Sequence, residues 1–491
     1  MGEAGQRSRL FGTDGVRGAA GQELTARLAL DLSVAAAAVL GRDADGGPGG
    51  RPVAVVGRDP RVSGEFLEAA VVAGLASAGI DVLRLGVIPT PGVAYLTGAL
   101  GAAFGVVISA SHNPAADNGI KFFGRGGVKL PDATEDTIEA QLRAAELKAE
   151  LKAARQQAAG CKTGGPEAAG PKAGLNGGPP AVPPEFGRVS DATAEHERYL
   201  EHLLATVPDD PDSPQPPLTG LRIVADCAHG AAYRLAPQAL RRAGAEVIAI
   251  GAEPDGLNIN EGCGSTALGA LSAAVVAHGA DAGIAYDGDA DRCLAVDADG
   301  QPLDGDQILT VLATGLKEAG RLTGGAVVVT VMSNQGFHVA MCEAGIEVIE
   351  TPVGDKHVSA AMRDGGYVLG GEQSGHIIMF EHATTGDGVL TSLQLLAAVN
   401  RQGVPMAAAA KMMPKYPQVL VNVPGDASRL GPGVDAAVRR AEARLGGDGR
   451  VLVRPSGTEP KIRLMIQARD ADLAERVVSQ LAEDVRQALA G

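Results

Sequence analysis

The sequence predicts an α/β protein built from three similar units and a smaller C-terminal unit. A short pattern of Ala-Gly, a variable residue, an acidic residue and Val occurs at positions 78–82, 243–247 and 344–348. Each copy comes after a strand-like run (residues 53–56, 222–225 and 326–331) and a helix-like apolar stretch. The glycine ends the helix, and the residues after it begin another strand. We therefore expect three strand–helix–strand units with largely parallel pairing.

Length and composition support several small cores. A chain of 491 residues is too long for one ordinary core and indicates three or four domains. Apolar residues make up 45% of the chain, but aromatic residues only 3%, and Trp is absent. We therefore expect cores packed from Ala, Val, Leu and Ile.

Shifts in composition predict the domain limits. Between about residues 144 and 187, alanine- and charge-rich sequence gives way to Gly/Pro-rich sequence, which is typical of a linker. A proline-rich stretch at 208–217 leads into the second unit, and a further shift occurs near 412–417. The predicted domains are 1–150, 190–297, 298–411 and 412–491, with an insert at 151–189.

Charge and cysteine usage exclude several classes of protein. The net charge of −15 argues against nucleic acid or an anionic membrane as a partner. An anionic small substrate is still compatible with this charge if arginines gather locally. The cysteines lack CxxC spacing, which indicates reduced thiols without a disulfide or zinc framework; they are Cys161, Cys227, Cys263, Cys293 and Cys342. No signal peptide or long uncharged apolar run is visible, so we expect a cytoplasmic protein.

The first candidate for chemistry is the hexapeptide at 109–114, Ser-Ala-Ser-His-Asn-Pro. It follows an apolar run at 105–108 that reads as a buried strand. A serine beside a histidine at the carboxyl end of a strand lies where α/β proteins place reacting groups. Ser-His-Asn-Pro is also a good ordinary turn, so the hexapeptide alone leaves both interpretations open.

A second candidate is the acidic loop at 287–292, Asp-Gly-Asp-Ala-Asp-Arg. Asp287, Asp289 and Asp291 offer only oxygen ligands, which suits Mg²⁺ better than zinc. An EF-hand loop is excluded, because its sixth position would be Arg292 instead of glycine and its twelfth Ala298 instead of glutamate. The alternative is a solvated acidic turn. Apolar runs flank the loop on both sides, and three aspartates between two strands are costly without a cation.

Three further loops follow predicted strands. Residues 57–61 contain two arginines in a place suited to an anion. Residues 371–376 combine glycine with Glu, Gln, Ser and His, which can read sugar hydroxyls. Residues 454–460 offer one guanidinium, two hydroxyls and exposed backbone N–H groups, which is typical of a phosphate site. Each could also be a polar surface turn.

Together these motifs resemble the α-D-phosphohexomutases. The matching strings occur in the family order and are FGTDGVRG (11–18), SASHNP (109–114), DNGIKFF (117–123), EPDGLNIN (253–260), DGDADR (287–292), GEQSGH (371–376), TTGDG (384–388) and RPSGTEP (454–460). The chain departs from the family at Ala290, where many relatives have glycine, and at Lys356, where arginine is common. The insert is not part of the family core.

The resemblance implies four domains around a central cleft, the last of them a smaller α+β domain. It implies interconversion of glucosamine 6-phosphate and glucosamine 1-phosphate, on the route to UDP-N-acetylglucosamine and cell-wall precursors. The reaction would use a phosphoserine, one Mg²⁺ per active site, and glucosamine 1,6-bisphosphate as intermediate and activator. A preference for mannose or glucose phosphates is the alternative, and a non-catalytic phosphosugar-binding protein is a further one. The partner would be a small phosphosugar, with no nucleic acid and no membrane, and a homodimer is left open.

The resemblance also implies roles for particular residues. Ser111 would carry the phosphate and, with Asp287, Asp289 and Asp291, hold Mg²⁺. Lys121 and His376 are the candidates for general acid and base, and Arg292 would brace the transferred group. The remaining catalytic candidates are His112 and Arg17; the substrate-binding candidates are Arg58, Glu372, Gln373, Ser374, Arg454, Ser456, Gly457, Thr458 and Arg463.

Overall fold

The structure is a computed structural model of the chain. It describes residues 9–12, 14–42, 50–160, 185–207, 215–426, 429–446, 449–455 and 461–490. Ser456, Gly457 and Thr458 lie outside the described residues, as does most of the predicted insert. Among the helices described, none has the length and apolar character needed to span a membrane.

The first unit contains a six-stranded mixed sheet. Its elements are β1 (Val16–Ala19), α1 (Ala26–Leu40), β2 (Val53–Arg58), α2 (Ser63–Ser77), β3 (Asp81–Val87), α3 (Thr90–Ala99), β4 (Phe104–Ile108), β5 (Asp117–Phe123), α4 (Asp132–Gly160) and β6 (Val189–Asp191). The strand order is β1-β5-β4-β2-β3-β6. Strands β4, β2, β3 and β6 are parallel to one another. The hexapeptide at 109–114 lies between β4 and the antiparallel β5. The edge strand β6 spans the boundary between the predicted insert (151–189) and the predicted second domain (190–297), but it pairs with β3 and so belongs to the first sheet.

The second unit contains a five-stranded sheet. Its elements are α5 (His196–Thr206), β7 (Arg222–Asp226), α6 (Leu235–Arg242), β8 (Glu246–Ile250), α7 (Gly269–His278), β9 (Ala282–Tyr286), β10 (Cys293–Asp297) and β11 (Pro302–Leu303). The order is β11-β10-β9-β7-β8. Strands β9, β7 and β8 are parallel, whereas β9 and β10 form an antiparallel pair. The acidic loop connects β9 to β10.

The third unit contains a four-stranded sheet covered by helices. Its elements are α8 (Gly305–Glu318), β12 (Ala326–Thr330), α9 (Gln335–Glu343), β13 (Glu347–Thr351), α10 (Asp355–Gly365), β14 (Leu369–Gly371), β15 (Ile377–Met379), α11 (Gly388–Gln402) and α12 (Met406–Ala410). The order is β13-β12-β14-β15, with the first three strands parallel. The loop at 371–376 connects β14 to β15.

The C-terminal unit has a different architecture. Its elements are β16 (Gln418–Pro424), α13 (Pro432–Leu445), β17 (Gly449–Pro455), β18 (Lys461–Ala468) and α14 (Ala471–Ala490). Strand β18 lies between β16 and β17 and is antiparallel to both. The strands and the two helices enclose a separate core of Val, Leu, Ile and Ala. The fold class predicted from the sequence is confirmed, including the smaller α+β domain.

The repeated pattern ends a helix in the same way three times. Gly79, Gly244 and Gly345 have φ values of +84°, +106° and +64°, in the left-handed region that glycine tolerates best. In each copy the residue after the glycine donates its N–H to a carbonyl in the last turn of α2, α6 or α9. The chain then enters β3, β8 or β13, which pairs in parallel with the preceding strand of its unit.

Candidate active site

The phosphoserine candidate lies where the first two units meet. Ser111 is 1% exposed and has a φ of +51°, a conformation that non-glycine residues seldom adopt. Its Oγ donates a hydrogen bond to Asp287 Oδ2 at 2.5 Å and lies 3.4 Å from His112 Nδ1. The structure thus brings together two motifs that are distant in the sequence.

The acidic loop forms a compact cluster of carboxylates. Oxygen atoms of Asp287, Asp289 and Asp291 lie within 4.8 Å of one another, and all three residues are buried. Ala290, between the last two, has a φ of +55°. That conformation favours glycine, and alanine is the smallest side chain that can take the place of glycine there.

The charges of this cluster favour a hard cation. Burial, together with Asp291 and Asp289, raises the pKa of Asp287 well above its ordinary value. The Oδ1 atoms of Asp289 and Asp291 are buried and have no hydrogen-bond partner among the described residues. Buried carboxylate oxygens without donors are costly, and a divalent cation would compensate them. The residues present therefore fit Mg²⁺.

Lys121 lies directly against the cluster. Its Nζ is 2.8 Å from Asp289 Oδ2 and 2.7 Å from Asp14 Oδ2. Burial alone would lower the pKa of Lys121, but Asp14 and Asp289 raise it above its ordinary value. The Lys121 side chain is therefore charged in this arrangement and donates a hydrogen bond to Asp289.

Asp14 is a residue whose role sequence reasoning missed. Besides Lys121, it accepts hydrogen bonds from Arg17 at 2.9 Å and from Lys129 at 3.1 Å. Three cations therefore converge on one carboxylate, and they hold its pKa well below the ordinary value in spite of burial. The FGTDGVRG motif contained the residue, but nothing in its spacing indicated lysines more than a hundred positions away.

His376, on the loop between β14 and β15, also contacts the cluster. Its Nδ1 is 3.6 Å from Asp291 Oδ2, and its Nε2 is 3.7 Å from Asp355 Oδ2 and accepts a hydrogen bond from the Gly386 N–H at 3.2 Å. Burial lowers its pKa, but Asp291 and Asp355 raise it by more, so the net shift is upward. Asp355 also contacts Lys129 and was not expected at the site.

Arg292 and His112 complete the surroundings of Ser111. Arg292 Nε is 3.8 Å from Asp291 Oδ1 and has no hydrogen-bond partner in the described part of the chain. Burial, with Arg292 and Arg17 nearby, lowers the pKa of His112. A neutral imidazole and an uncommitted guanidinium nitrogen therefore lie beside the candidate phosphoserine.

Several of these groups line a cleft of ≈ 400 Å³ to which the first, second and third units all contribute. Glu372 lines it and accepts a hydrogen bond from the Gly354 N–H at 3.2 Å. The neighbouring Gln373 Nε2 lies 3.5 Å from Asp304 Oδ2, and Ser374 Oγ is buried without a partner among the described residues. The cleft lining includes Arg17, Ser111, His112, Asp291, Arg292, Glu372 and His376 from the sequence-based candidates.

Other candidates lie elsewhere. Arg58 forms an ion pair with Glu68 at 3.1 Å and is not part of the cleft lining. Arg61, expected with Arg58 to meet an anion, is instead completely buried and binds backbone carbonyls. Lys356 contacts Glu135 at 2.7 Å, on α4.

The two C-terminal candidates that the structure describes are neighbours. Arg454 on β17 and Arg463 on β18 are directly opposite each other in the antiparallel register. Burial and the charge of Arg463 lower the pKa of Arg454. The chain following Arg454 holds the predicted phosphate loop, which lies outside the described residues.

Comparison with known proteins identifies the class to which this fold and cleft belong. Four models of the phosphoglucomutase/phosphomannomutase family match: alpha/beta/alpha domain I at 8–149, domain II at 197–300, domain III at 304–416 and the C-terminal domain at 404–484. They account for most of the chain. The protein belongs to the phosphoglucomutase/phosphomannomutase family.

Within this family the chain is similar to bacterial proteins of one name. It is 58% identical to phosphoglucosamine mutase of Thermobifida fusca, with 98% of this chain and 99% of the relative covered. It is 54% identical to phosphoglucosamine mutase of Streptomyces griseus, with the same coverage. The crystal structure of a phosphoglucomutase/phosphomannomutase family protein from Burkholderia thailandensis matches with a TM-score of 0.75, 22% identity and 98% coverage of each chain, which supports the fold.

Proposed function

We propose that this protein interconverts glucosamine 6-phosphate and glucosamine 1-phosphate through a phosphorylated Ser111. The observation that carries the proposal is the hydroxyl of Ser111, buried 2.5 Å from a carboxylate of a three-aspartate cluster. Relatives that are 53–58% identical over nearly the whole chain bear the name phosphoglucosamine mutase. The product would serve the synthesis of UDP-N-acetylglucosamine and cell-wall precursors.

The reaction consists of two phosphoryl transfers. In the first, the P–O bond to Ser111 breaks while a bond forms to the C1 hydroxyl of glucosamine 6-phosphate, which gives glucosamine 1,6-bisphosphate. The C1 hydroxyl loses its proton, and Ser111 Oγ regains one. After the bisphosphate reorients, its 6-phosphate passes back to Ser111 and leaves glucosamine 1-phosphate. No phosphate or proton is lost over the cycle, and added bisphosphate would phosphorylate an enzyme that lacks phosphoserine.

Asp287, Asp289, Asp291 and the phosphate of Ser111 would hold one Mg²⁺. Bound there, it would neutralise charge on the oxygens of the transferring group. The orphaned oxygens of Asp289 and Asp291 support this assignment.

The chain's own cations would stabilise the transferring group from the other sides. Arg292 and Arg17 line the cleft, and each has a buried Nε without a hydrogen-bond partner among the described residues. Fixed donors aimed at a developing negative charge accelerate transfer without reorganising. Lys121 and His376 flank the aspartates and would exchange the sugar proton, while His112 is near enough to Ser111 Oγ to return its proton.

The substrate would contact two further regions. Glu372, Gln373 and Ser374, in the loop after β14, would bind sugar hydroxyls. Arg454, Arg463 and the segment with Ser456, Gly457 and Thr458 would bind whichever phosphate is not reacting. A guanidinium fork binds phosphate without regard to the sugar carbon that bears it.

A coupled assay tests the proposal. The full chain with Mg²⁺ is given glucosamine, glucose or mannose 6-phosphate, each with its own 1,6-bisphosphate, and formation of the 1-phosphate is followed. The highest kcat/KM is expected with the glucosamine substrate. A higher value with the mannose or glucose substrate would make the protein a phosphomannomutase or phosphoglucomutase, and lack of turnover with all three would indicate a binding protein.

A further inference from the structure

Two side chains that the proposed chemistry does not use bind the backbone of Ser111 and of the residues that follow it. Arg61 comes from the first unit, between β2 and α2, and Asn260 comes from the second, at the end of the EPDGLNIN motif. Both are directed at the same two carbonyl groups, those of Ser111 and Asn113.

The distances show a double clamp. An amino group of Arg61 donates to Ser111 O at 3.1 Å and to Asn113 O at 2.8 Å. Asn260 Nδ2 donates to the same oxygens at 2.9 Å and 3.1 Å. A carbonyl oxygen has two lone pairs, so each of these two oxygens has a donor for both.

Arg61 also fixes the N–H of Ser111 through a short relay. Arg61 Nε donates to Asp59 Oδ2 at 2.9 Å, and that oxygen accepts from Ser109 Oγ at 2.6 Å. Ser109 Oγ in turn accepts the Ser111 N–H at 2.9 Å. Arg61 reaches Pro114 O and Asp117 O as well, so one buried guanidinium holds most of the hexapeptide.

The clamp accounts for the backbone of Ser111. A non-glycine residue at a φ of +51° persists only where its surroundings over-determine the conformation. Asn260 has a φ of +59°, and its own N–H is bound by Ala228 O at 2.9 Å, so its amide is held in place by the second unit. That unit also carries Asp287, the residue that Ser111 Oγ faces.

We propose that Arg61 and Asn260 are positioning residues that lock Ser111 in its left-handed conformation and keep its hydroxyl in register with the aspartate cluster of the neighbouring unit. The inference rests on the proposed function, since it concerns the residue that carries the phosphate. Neither side chain lines the cleft, and neither is hydrogen-bonded to Ser111 Oγ in the described structure. Their loss should therefore slow phosphoryl transfer more than it weakens substrate binding.

Asn260→Gly tests this with little disturbance of the backbone, because glycine adopts a φ of +59° readily and lacks only the amide. Asn258→Gly is the matched control, since Asn258 lies on the same loop and its amide binds Glu253 O instead of Ser111. For each full-length protein, labelled hexose 1,6-bisphosphate is mixed with enzyme, and the rate of labelling at Ser111 is measured with kcat, KM and Tm.

We expect Asn260→Gly to lower the rate of labelling and kcat about 10–100-fold, the scale of a misplaced reacting group. KM should stay within about twofold, as for an interaction that does not contribute to ground-state binding. The Asn258→Gly control should change neither. Labelling at the wild-type rate in Asn260→Gly, or a loss that matches the fraction unfolded, would overturn the inference.

Arg61→Lys provides a second test. Lysine keeps the charge beside Asp59 but lacks the planar guanidinium group that binds several carbonyls at once. A folded variant with normal Mg²⁺ affinity by calorimetry and slow labelling supports the inference, and fast labelling contradicts it. If Arg61→Lys does not fold, the result with Asn260→Gly decides. A wild-type protein that is never labelled at Ser111 would overturn the proposed function and this inference together.

Discussion

The surroundings of Ser111 and the paired arginines of the C-terminal unit differ in whether their charged side chains have partners of opposite charge. Around Ser111 the chain neutralises its own charges, since Asp14 alone contacts Lys121, Lys129 and an arginine. On the C-terminal sheet, Arg454 and Arg463 face each other across two strands, and in the described part of the chain neither forms an ion pair with a carboxylate. Like charges directly opposite in a sheet are destabilising.

The difference indicates which part of the proposed site has its charges compensated before the substrate binds. In the proposed catalytic centre, buried carboxylates and cations already contact one another, and the oxygens of Asp289 and Asp291 without a partner among the described residues are those that Mg²⁺ would bind. Among the described residues the arginine pair has no counter-ion, and a substrate phosphate would supply one. We therefore expect changes around Ser111 to affect turnover and changes at the arginine pair to affect substrate affinity.

The largest effect is expected at Ser111. Ser111→Ala should abolish mutase turnover, because no other hydroxyl faces Asp287 in the described structure. Stability should change little, since one hydroxyl is lost and alanine meets the same backbone strain. Turnover and melting curves check this, with Ser77→Ala on α2 as the control. Activity near the wild-type level in a rigorously purified variant would contradict the phosphoserine role.

The next effect is expected at the aspartate cluster. Asp289→Asn replaces one carboxylate ligand with a neutral amide and also weakens the contact with Lys121. Mg²⁺ affinity and kcat should fall together by about 100-fold. This is the upper end of the losses seen when a residue that supports a metal ligand is replaced, and loss of a ligand itself should cost at least as much. Calorimetry and kinetics measure the two, with Asp297→Asn on β10 as a buried control. A drop in kcat at unchanged metal affinity would give Asp289 another role.

Arg454 tests the other side of the comparison. Arg454→Ala should raise KM for both sugar phosphates. It should also lower kcat/KM by a factor that corresponds to an activation barrier about 2–4 kcal/mol higher, as expected for loss of a buried charge contact. Arg439→Ala, on the exposed face of α13, is the control. A lower Tm with unchanged KM would show that Arg454 only tethers the domain.

The smallest effect is expected where the third unit contacts the C-terminal unit. Asp306 on α8 accepts the Asn334 N–H at 2.7 Å, and Asn334 binds Tyr416 at the start of the C-terminal unit. Burial, with a contribution from Asp304, raises the pKa of Asp306 to about 7. The folded protein therefore keeps this proton up to about pH 7, whereas the unfolded chain loses it near its ordinary value of about 4.

This difference makes the free energy of unfolding fall as pH rises from about 4 to about 7, and level off above that. Asp306→Asn has no such proton. The Tm of the variant minus the Tm of the wild type should therefore increase by about 2–4 °C from pH 5 to pH 8. Asp299→Asn, at an exposed position, should show no such gain. Parallel Tm curves for Asp306→Asn and wild type would contradict the raised pKa.

Much of the fold could be predicted because its signals are local. The pattern around Gly79, Gly244 and Gly345 reports helix ends and strand starts within a few residues, and all three behave alike in the structure. The order and pairing of strands required the structure. Strand β6, for example, joins the first sheet although a long insert separates it from β5.

The site was predictable only in part. Ser111 and the aspartates stand out because strand-end loops of such composition are unusual, and the resemblance to a family connected them. Asp14, Lys129 and Asp355 were missed because their importance comes from contacts between distant segments. Arg61 was misread, since a buried arginine that binds carbonyls looks the same in sequence as one that awaits an anion.

The position of β6 has a consequence for how the protein is made. Because β6 pairs with β3, the first sheet cannot be completed until residue 191 has left the ribosome, well after its other five strands. During that interval the outer edge of β3 presents unpaired N–H and C=O groups, a template on which nascent chains can associate. A longer insert would extend this interval.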